Sequence, residues 1–191
     1  YGFDPAKEAV DYGCKKGLNI KHAGLEGMNV FNNKKFDIVT MFNVLEHLAD
    51  PVNSINQIKE ILNPKGILVI DVPNEFNDFQ TAGRDVHGLT DWWVAPPNHL
   101  NYFSKDSLVN FLETLGFVVK ITEASFPLEM FLLFGENYVK ERELGSACHK
   151  KRVLFEQNLR KQGKTDKLKK FYRALADLNL GRQITVFCEL K

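Results

Sequence analysis

The stretch FDIVTMFNVLEHLADP, residues 36–51, decides the fold. Its opening run, Phe36–Phe42, is nearly all apolar, as in a parallel strand that is covered on both faces. Polar residues follow at once, and Asp50 and Pro51 are residue types that begin helices. A buried strand, a polar turn and a helix are the parts of a βαβ unit. The stretch therefore predicts an α/β fold with a mostly parallel sheet.

The same alternation of extended and helical patterns continues on both sides of this stretch. Before it, residues 1–3 indicate the end of a strand, a helix runs to about residue 16, and residues 18–23 indicate a short strand. After it come a strand at 67–72, a loop at 75–103, a helix from Ser104 to Leu115, a strand at 117–123, a mainly helical segment at 125–180 and a closing strand at 183–190. In such sheets a ligand binds beyond the carboxyl ends of the strands.

Length and composition bound the class of protein. With 191 residues, 44% of them apolar and 26% charged, the chain suits one α/β domain with its own core. No apolar run approaches the roughly 18–20 residues of a membrane span, and no signal-peptide pattern occurs. Cys14, Cys148 and Cys188 have neither disulfide nor metal-ligand spacing, which favours reduced thiols in a cytoplasmic protein with no membrane partner. Because the first residue is Tyr1, we expect the natural protein to begin earlier.

Candidate site residues follow the predicted strands. Asp4 closes one strand and opens a helix, a position at which a carboxylate accepts hydrogen bonds from both ribose hydroxyls of a nucleotide. A plain helix cap explains Asp4 equally well. Glu46 and His47 follow the buried strand, and Asn43 precedes them by three and four positions, so a helix here places all three beside one pocket. The alternative for this group is a solvated helix start.

A second candidate is the aromatic loop at residues 92–104. It contains Trp92, Trp93, His99 and Tyr102 together with two prolines, which make it stiff. Loops of this kind wall substrate pockets when they lie near strand ends. Surface packing beneath a long connection is the other interpretation.

Five motifs, in order and at usual spacings, resemble those of class I S-adenosylmethionine-dependent methyltransferases of types 11, 12 and 23. They are FDP (3–5), FDIV (36–39), VLEHLADP (44–51), LNPKGILVI (62–70) and NHLNYFS (98–104), and LGF (115–117) continues the match. The likeness covers about residues 1–124 and 181–191. It implies a Rossmann-like sheet of seven mostly parallel strands with one antiparallel strand near the edge. The family's first strand and its glycine-rich turn are missing from these residues.

The resemblance also implies a domain division. Residues 1–124 and 181–191 form the methyltransferase core, incomplete at its start. Residues 125–180 form a helical insert before the last strand, longer than the family's usual connection.

The resemblance assigns a cofactor, S-adenosylmethionine, which becomes S-adenosylhomocysteine. By position, Asp4 and Pro5 belong at the ribose, Gly24 and Leu25 at the adenine, and Phe42 and Asn43 at the methionine part. Relatives that methylate ubiquinone precursors hold a divalent metal with a Glu-His pair and a second acid. This chain has the neutral Asn43 where they have that acid, so we expect no metal.

For the acceptor, His47 and His99 are candidate bases because a histidine accepts a proton near neutral pH. Glu46 would orient one of them, and His99 with Tyr102 is preferred for substrate contact. The other expected substrate contacts are Trp92, Trp93 and Arg182. The favoured reaction is methyl transfer to a small molecule, with a sugar or nucleotide-sugar hydroxyl as the acceptor.

Charge adds one clue about partners. Residues 148–173 carry ten Lys or Arg against Glu156 and Asp166, which favours an anionic substrate, although a solvated helix face explains the charge as well. Aromatic residues are sparse in this segment, so nucleic acid is not expected. The apolar run at 126–134 indicates core or a contact between identical chains.

Two other functions stay open. One is an inactive methyltransferase fold that serves as a binding or partner subunit. The other is a nicotinamide-dependent oxidoreductase, which also places an acid at the position of Asp4.

Overall fold

The computed structural model of the protein describes residues 1–24, Phe31 and 34–191, and these residues form six strands and seven α-helices. In chain order they are β1 (Gly2–Asp4), α1 (Lys7–Lys15), β2 (Ile20–His22), β3 (Phe36–Phe42), α2 (Pro51–Ile61), β4 (Leu62–Pro73), α3 (Asp78–His87), α4 (Lys105–Thr114), β5 (Phe117–Ala124), α5 (Glu129–Leu133), α6 (Arg142–Lys161), α7 (Thr165–Asp177) and β6 (Gln183–Leu190). A 3-10 turn, Leu45–His47, follows β3. The predicted α/β class is confirmed.

The described strands form two sheets. β1 and β2 pair in parallel, and the larger sheet has the order β3-β4-β6-β5. β3 and β4 are parallel, whereas β6 is antiparallel to both of its neighbours. The reversed strand thus lies next to the edge strand β5. The two sheets have two and four strands, fewer than the seven predicted for one sheet.

Local sequence explains where the helices around the site begin. The Asp50 side chain accepts a hydrogen bond from the backbone N–H of Asn53 at 2.9 Å, and Pro51 occupies the first helical position of α2. Ser104 and Ser107 form a reciprocal capping box at the start of α4. Both helix starts agree with the sequence prediction.

The prediction of one uninterrupted loop from Glu75 to Phe103 is wrong, because α3 lies within it. Asn77 and Gln80 form a capping box, in which the Asn77 side chain accepts from two backbone N–H groups. Gly88, at φ 56°, ends the helix in the left-handed region. The Asn-x-x-Gln spacing was the available signal, hidden by the many turn residues around it.

The core is centred on β4 and β6. Leu68, Ile70, Val72, Val186 and Cys188 are fully buried, and apolar residues of α2 and α4 cover them. β3 differs from the expectation of a strand covered on both faces, because Ile38 is 62% exposed and Phe42 is 55% exposed. The reason is that β3 pairs with β4 alone among the described strands, so its second edge faces a cavity.

The helical segment before β6 packs against the sheet and against itself. α5 contacts α3, α6 contacts α7, and α7 contacts β5. Leu175 and Ala176 of α7 belong to the main core cluster, so this end of the segment is not separate from the sheet. The division into a core at 1–124 and 181–191 and an insert at 125–180 stays a prediction. Among the helices described, none has the length and apolar character needed to cross a membrane.

Candidate active site

A cavity of about 970 Å³ lies between the two sheets. Its walls come from β1 and the residues after it, from β3 and the residues after it, and from α2. Five of the six residues predicted to hold the cofactor line this cavity, namely Asp4, Pro5, Gly24, Phe42 and Asn43. The sixth, Leu25, lies outside the described residues. Since the carboxyl ends of β1 and β3 meet here, the cavity has the position expected of a ligand site in this class of fold.

Asp4 has one carboxylate oxygen engaged locally. Its Oδ1 accepts a hydrogen bond from the backbone N–H of Ala6 at 2.7 Å, just before α1 begins. Next to it, the carbonyl of Pro5 lies 2.9 Å from Nε2 of His22 on β2. These bonds hold the turn after β1 in place, while the Asp4 side chain still lines the cavity.

Asn43 turns the chain at the end of β3. Its φ of 51° is in the left-handed region, which asparagine tolerates better than most residues. Its N–H donates to the carbonyl of Asp71 on β4, and its side-chain oxygen accepts from Nε2 of Gln183 at 2.7 Å. Asn43 therefore links the cavity wall to the start of β6.

The three residues predicted to be catalytic, Glu46, His47 and His99, come together at the edge of this cavity. Nε2 of His47 lies 3.6 Å from Oε1 of Glu46, and the rings of His47 and His99 meet edge to face at 4.9 Å between centroids. His47 lines the cavity, whereas Glu46 is 2% exposed. Burial raises the pKa of Glu46 above its usual range, although His47 and His99 oppose that rise.

The aromatic loop continues from His99 as a row of neighbouring rings. His99 lies 6.2 Å from Tyr102, Tyr102 lies 5.9 Å from Phe76, and Phe76 lies 5.8 Å from Trp93, measured between ring centroids. Trp92 meets Trp93 edge to face at 4.7 Å. The predicted substrate residues Trp92, Trp93 and Tyr102 therefore belong to one row of packed rings that begins at the histidines, and Trp93 is its buried member.

Arg182, the remaining predicted substrate contact, has a buried partner. Its Nη1 donates to Oε1 of Glu129 at 2.9 Å, and Glu129 is fully buried. This ion pair joins α5 to the start of β6. A substrate anion would have to compete with Glu129 for the guanidinium.

Sequence reasoning missed Glu75, Phe76 and Glu129. Glu75 lies shortly after the strand predicted at residues 67–72, and it is 4% exposed. Its Oε2 accepts from Nε2 of Gln80 at 2.9 Å, yet burial raises the pKa of its carboxyl. Glu129 had no signal, because its partner is distant in sequence.

Comparison with known proteins places residues 1–120 in a family described as "Methyltransferase domain". A tRNA U34 carboxymethyltransferase of Aliarcobacter butzleri is 31% identical over 124 residues, covering 61% of this chain and 38% of that protein. A ubiquinone biosynthesis O-methyltransferase of Haemophilus ducreyi is 31% identical over 77 residues, covering 37% of this chain and 33% of that protein. The chain thus spans well under half the length of these relatives.

Solved structures show the same fold at low sequence identity. A SAM-dependent methyltransferase of Archaeoglobus fulgidus superposes with a TM-score of 0.57 at 17% identity, covering 98% of this chain and 74% of that one. A possible histamine N-methyltransferase of Thermotoga maritima superposes with a TM-score of 0.58 at 14% identity, covering 100% of this chain and 72% of that one.

Proposed function

Because the chain belongs to the methyltransferase-domain family, we propose that it transfers the methyl group of S-adenosylmethionine to a hydroxyl of a small molecule at the cavity between its sheets. The family and its cofactor, both expected from the sequence, are confirmed. Family membership sets aside the nicotinamide-dependent oxidoreductase. The observation that carries the proposal is the meeting of Asp4, Phe42, Asn43 and His47 around one cavity.

The residues at the cavity fit the cofactor. The Asp4 carboxylate stands at the end of β1, where such a group accepts hydrogen bonds from ribose hydroxyls. Gly24 and the exposed ring of Phe42 give an apolar wall for the flat parts of the molecule. We assign Asp4 and Pro5 to the ribose, Gly24 and Leu25 to the adenine, and Phe42 and Asn43 to the methionine part.

S-adenosylmethionine supplies a methyl group already activated by its sulfonium, so the protein has to align the acceptor and take up one proton. Alignment alone is worth on the order of 7–11 kcal/mol at best. Held by Asp4, Phe42 and Asn43, the cofactor would supply its methyl group to the acceptor oxygen, and the electron pair of the carbon–sulfur bond would stay on sulfur. The proton released from the hydroxyl goes to a base, which we assign to Nε2 of His47. Because Nδ1 of the neutral His47 ring donates to the Asn98 carbonyl at 2.6 Å, Nε2 is the nitrogen without a proton. His99 is the alternative base.

For the acceptor we favour a sugar or a sugar-nucleotide hydroxyl. Phe76, which is 53% exposed, and the half-buried Trp92 and Tyr102 offer ring faces and edges beside the histidines, while the buried Trp93 packs beneath them. Arg182 would be a further contact. The names of the two relatives point to different acceptors, tRNA and a ubiquinone precursor, so the acceptor has to be inferred from this chain's own loops.

The charge of residues 148–173 gives weaker support for an anionic substrate. Arg152 pairs with Glu156 and Arg173 pairs with Glu123, so part of that charge is compensated. A nucleic acid partner stays disfavoured. A homo-oligomer and a cytoplasmic location stay predictions from the sequence.

A sheet of seven strands is part of the same proposal. β1 and β3 each pair on one side only among the described strands, and both line the cavity. A strand between them would join the two sheets, cover Ile38 and fill the part of the cavity that runs along β3. The cofactor would then take the remaining part, at the strand ends beside Asp4, Phe42 and Asn43.

The test is calorimetric titration of S-adenosylhomocysteine into the full-length protein. We expect micromolar binding that weakens at least about 10-fold in Asp4→Ala, since the ribose loses its carboxylate partner. Asp11→Ala on the exposed face of α1 is the matched control and should bind like the wild type.

Equal binding by Asp4→Ala and the wild type would contradict the cofactor placement. A folded protein that does not bind S-adenosylhomocysteine would favour the inactive partner subunit instead.

A further inference from the structure

Glu46, His47 and His99 each place one metal-ligating atom within 4.8 Å of the others. Two imidazole nitrogens and one carboxylate oxygen are a donor set that first-row divalent cations take up, with further positions left open. Spacing alone does not make a site, so the state of each donor atom decides the question.

A hydrogen bond at Nδ1 holds the ring of His47 in an orientation and a tautomer that suit a metal ligand. A backbone carbonyl can only accept a hydrogen bond, so the 2.6 Å contact between Nδ1 of His47 and the Asn98 carbonyl places the proton on Nδ1. Nε2 of the neutral ring then carries a free lone pair and points toward Glu46. Metal-ligating histidines almost always donate their other N–H in this way.

The other two residues hold buried polar atoms without a partner. Oε2 of Glu46 accepts no hydrogen bond although its side chain is 3% exposed, and Nδ1 of His99 is buried and unpaired. A buried carboxylate oxygen without a hydrogen-bond partner is energetically unfavourable. A cation held by Glu46 and His99 would give a partner to whichever of these atoms it contacts.

Backbone hydrogen bonds fix the two segments that carry these side chains. The Glu46 carbonyl accepts from the N–H groups of Leu100 and Asn101, and the Asn101 side chain donates to the carbonyls of Leu45 and Leu48. The 3-10 turn and the loop after Asn98 are therefore one rigid unit. Such support is what a preorganised ligand set requires.

We propose that Glu46, His47 and His99 bind one first-row divalent cation at the edge of the cavity, with an open coordination position for an oxygen atom of the acceptor. The expectation of no metal rested on Asn43, whose side chain is engaged with Gln183. The third ligand comes instead from His99, which the sequence analysis treated as a candidate base and not as a ligand. While the cation is bound, Nε2 of His47 is a ligand, and it is available as a base only in the cation-free protein.

The cation site stands on these three side chains, and only its role toward the acceptor rests on the proposed function. The experiment is calorimetric titration of ZnCl2 into the full-length protein after treatment with a chelator. We expect one Zn²⁺ per chain, with binding weakened at least about 10-fold in His99→Ala and in Glu46→Gln. His149→Ala, an exposed histidine on α6, is the control and should bind like the wild type.

Glu46→Gln keeps the shape of the side chain, so it serves if His99→Ala does not fold. Absence of one-to-one binding to the folded wild type, or equal binding by both site variants, would overturn the proposal. Titration of S-adenosylhomocysteine into the same samples separates the two proposals. Zn²⁺ binding without S-adenosylhomocysteine binding leaves the cation site standing and removes the cofactor placement, and the reverse result removes only the cation site.

Discussion

Three buried carboxyl groups, those of Glu46, Glu75 and Glu129, surround the strand ends, and each residue is at most 4% exposed. Arg182 contacts Glu129 directly, and its charge offsets only part of the effect of burial on Glu75. Burying carboxyl groups is unfavourable unless they are paired, and groups of this kind cluster at functional sites. We therefore regard this cluster as being kept for function rather than for stability.

Glu75 gives a prediction about pH. Burial raises the pKa of its carboxyl in the folded chain above the ordinary value of 4.5. As pH rises above that value, the Glu75 carboxyl loses its proton in the unfolded chain before it does so in the folded chain. The contribution of Glu75 to stability therefore falls until the carboxyl ionises in the folded chain too. Glu75→Gln should be close to the wild type in stability at pH 5 and more stable than it at pH 8, as measured by urea unfolding.

Glu113→Gln, on the exposed face of α4, is the matched control. Its difference from the wild type should not change between the two pH values. An advantage of Glu75→Gln that shrinks as pH rises would contradict the prediction.

Single residues show how far the sequence could predict the site. Asp4, Asn43 and His47 were predictable because each follows a recognisable strand, and strand ends converge on one edge of a sheet. Glu129 was not, because its role depends on Arg182, which lies far along the chain. The unpaired atoms of Glu46 and His99 were equally hidden, since no pattern in the chain reports which buried atoms lack partners.

At the scale of elements, the backbone at the start of β6 lies very close to the end of β5. Gly181 has a φ of 115°, and a Cβ there would lie 2.6 Å from both the Ala124 Cβ and the Ser125 carbonyl oxygen. Its carbonyl also accepts from the Asn74 side chain. The position therefore requires glycine for its backbone conformation and for its lack of a side chain.

Gly181→Ala should lower the free energy of unfolding by about 2–4 kcal/mol, of which the left-handed conformation accounts for about 1–2 and overpacking for the rest. Gly17→Ala is the matched control, because Gly17 also has a positive φ, 78°, but nothing within 4 Å of a Cβ. It should lose only the conformational part, measured by urea unfolding at the same pH. Equal losses in both variants would show that the contact at position 181 relaxes freely.

Elements with a strong local signal were predicted well. The bounds predicted for β3 and β6 agree with the structure. The predicted capping residues, Asp50 before α2 and Ser104 before α4, agree as well. α3 was missed because its capping box lies among turn residues and its apolar face is narrow. β4 begins earlier than predicted, at Leu62, because Leu62 already pairs with Phe36 of β3, and the pairing resumes at Ile67 after the turn at Lys65.

At the scale of the whole molecule, the two sheets differ in how well they are held. β6 is paired on both sides, and its Ile184, Val186 and Cys188 are at most 1% exposed. β1 and β2 are three residues each and pair only with one another among the described strands. Local opening is easiest where few buried contacts hold an element.

Hydrogen exchange should therefore be slowest in peptides that cover β4 and β6 and fastest, among the strands, in those that cover β1 and β2. Mass spectrometry of the native protein measures this, with the urea-unfolded chain as the reference for full exchange. Equal protection of the two sheets would contradict it and would show that they open as one unit.

The aromatic loop has an optical consequence. These 191 residues contain two tryptophans, the neighbours Trp92 and Trp93, so the indole emission of this chain comes from this loop alone. The emission is therefore a built-in, label-free signal from the surface that we assign to the acceptor. A ligand that binds against these rings changes the wavelength and the intensity of the tryptophan emission. A ligand that binds far from the loop leaves the emission spectrum unchanged.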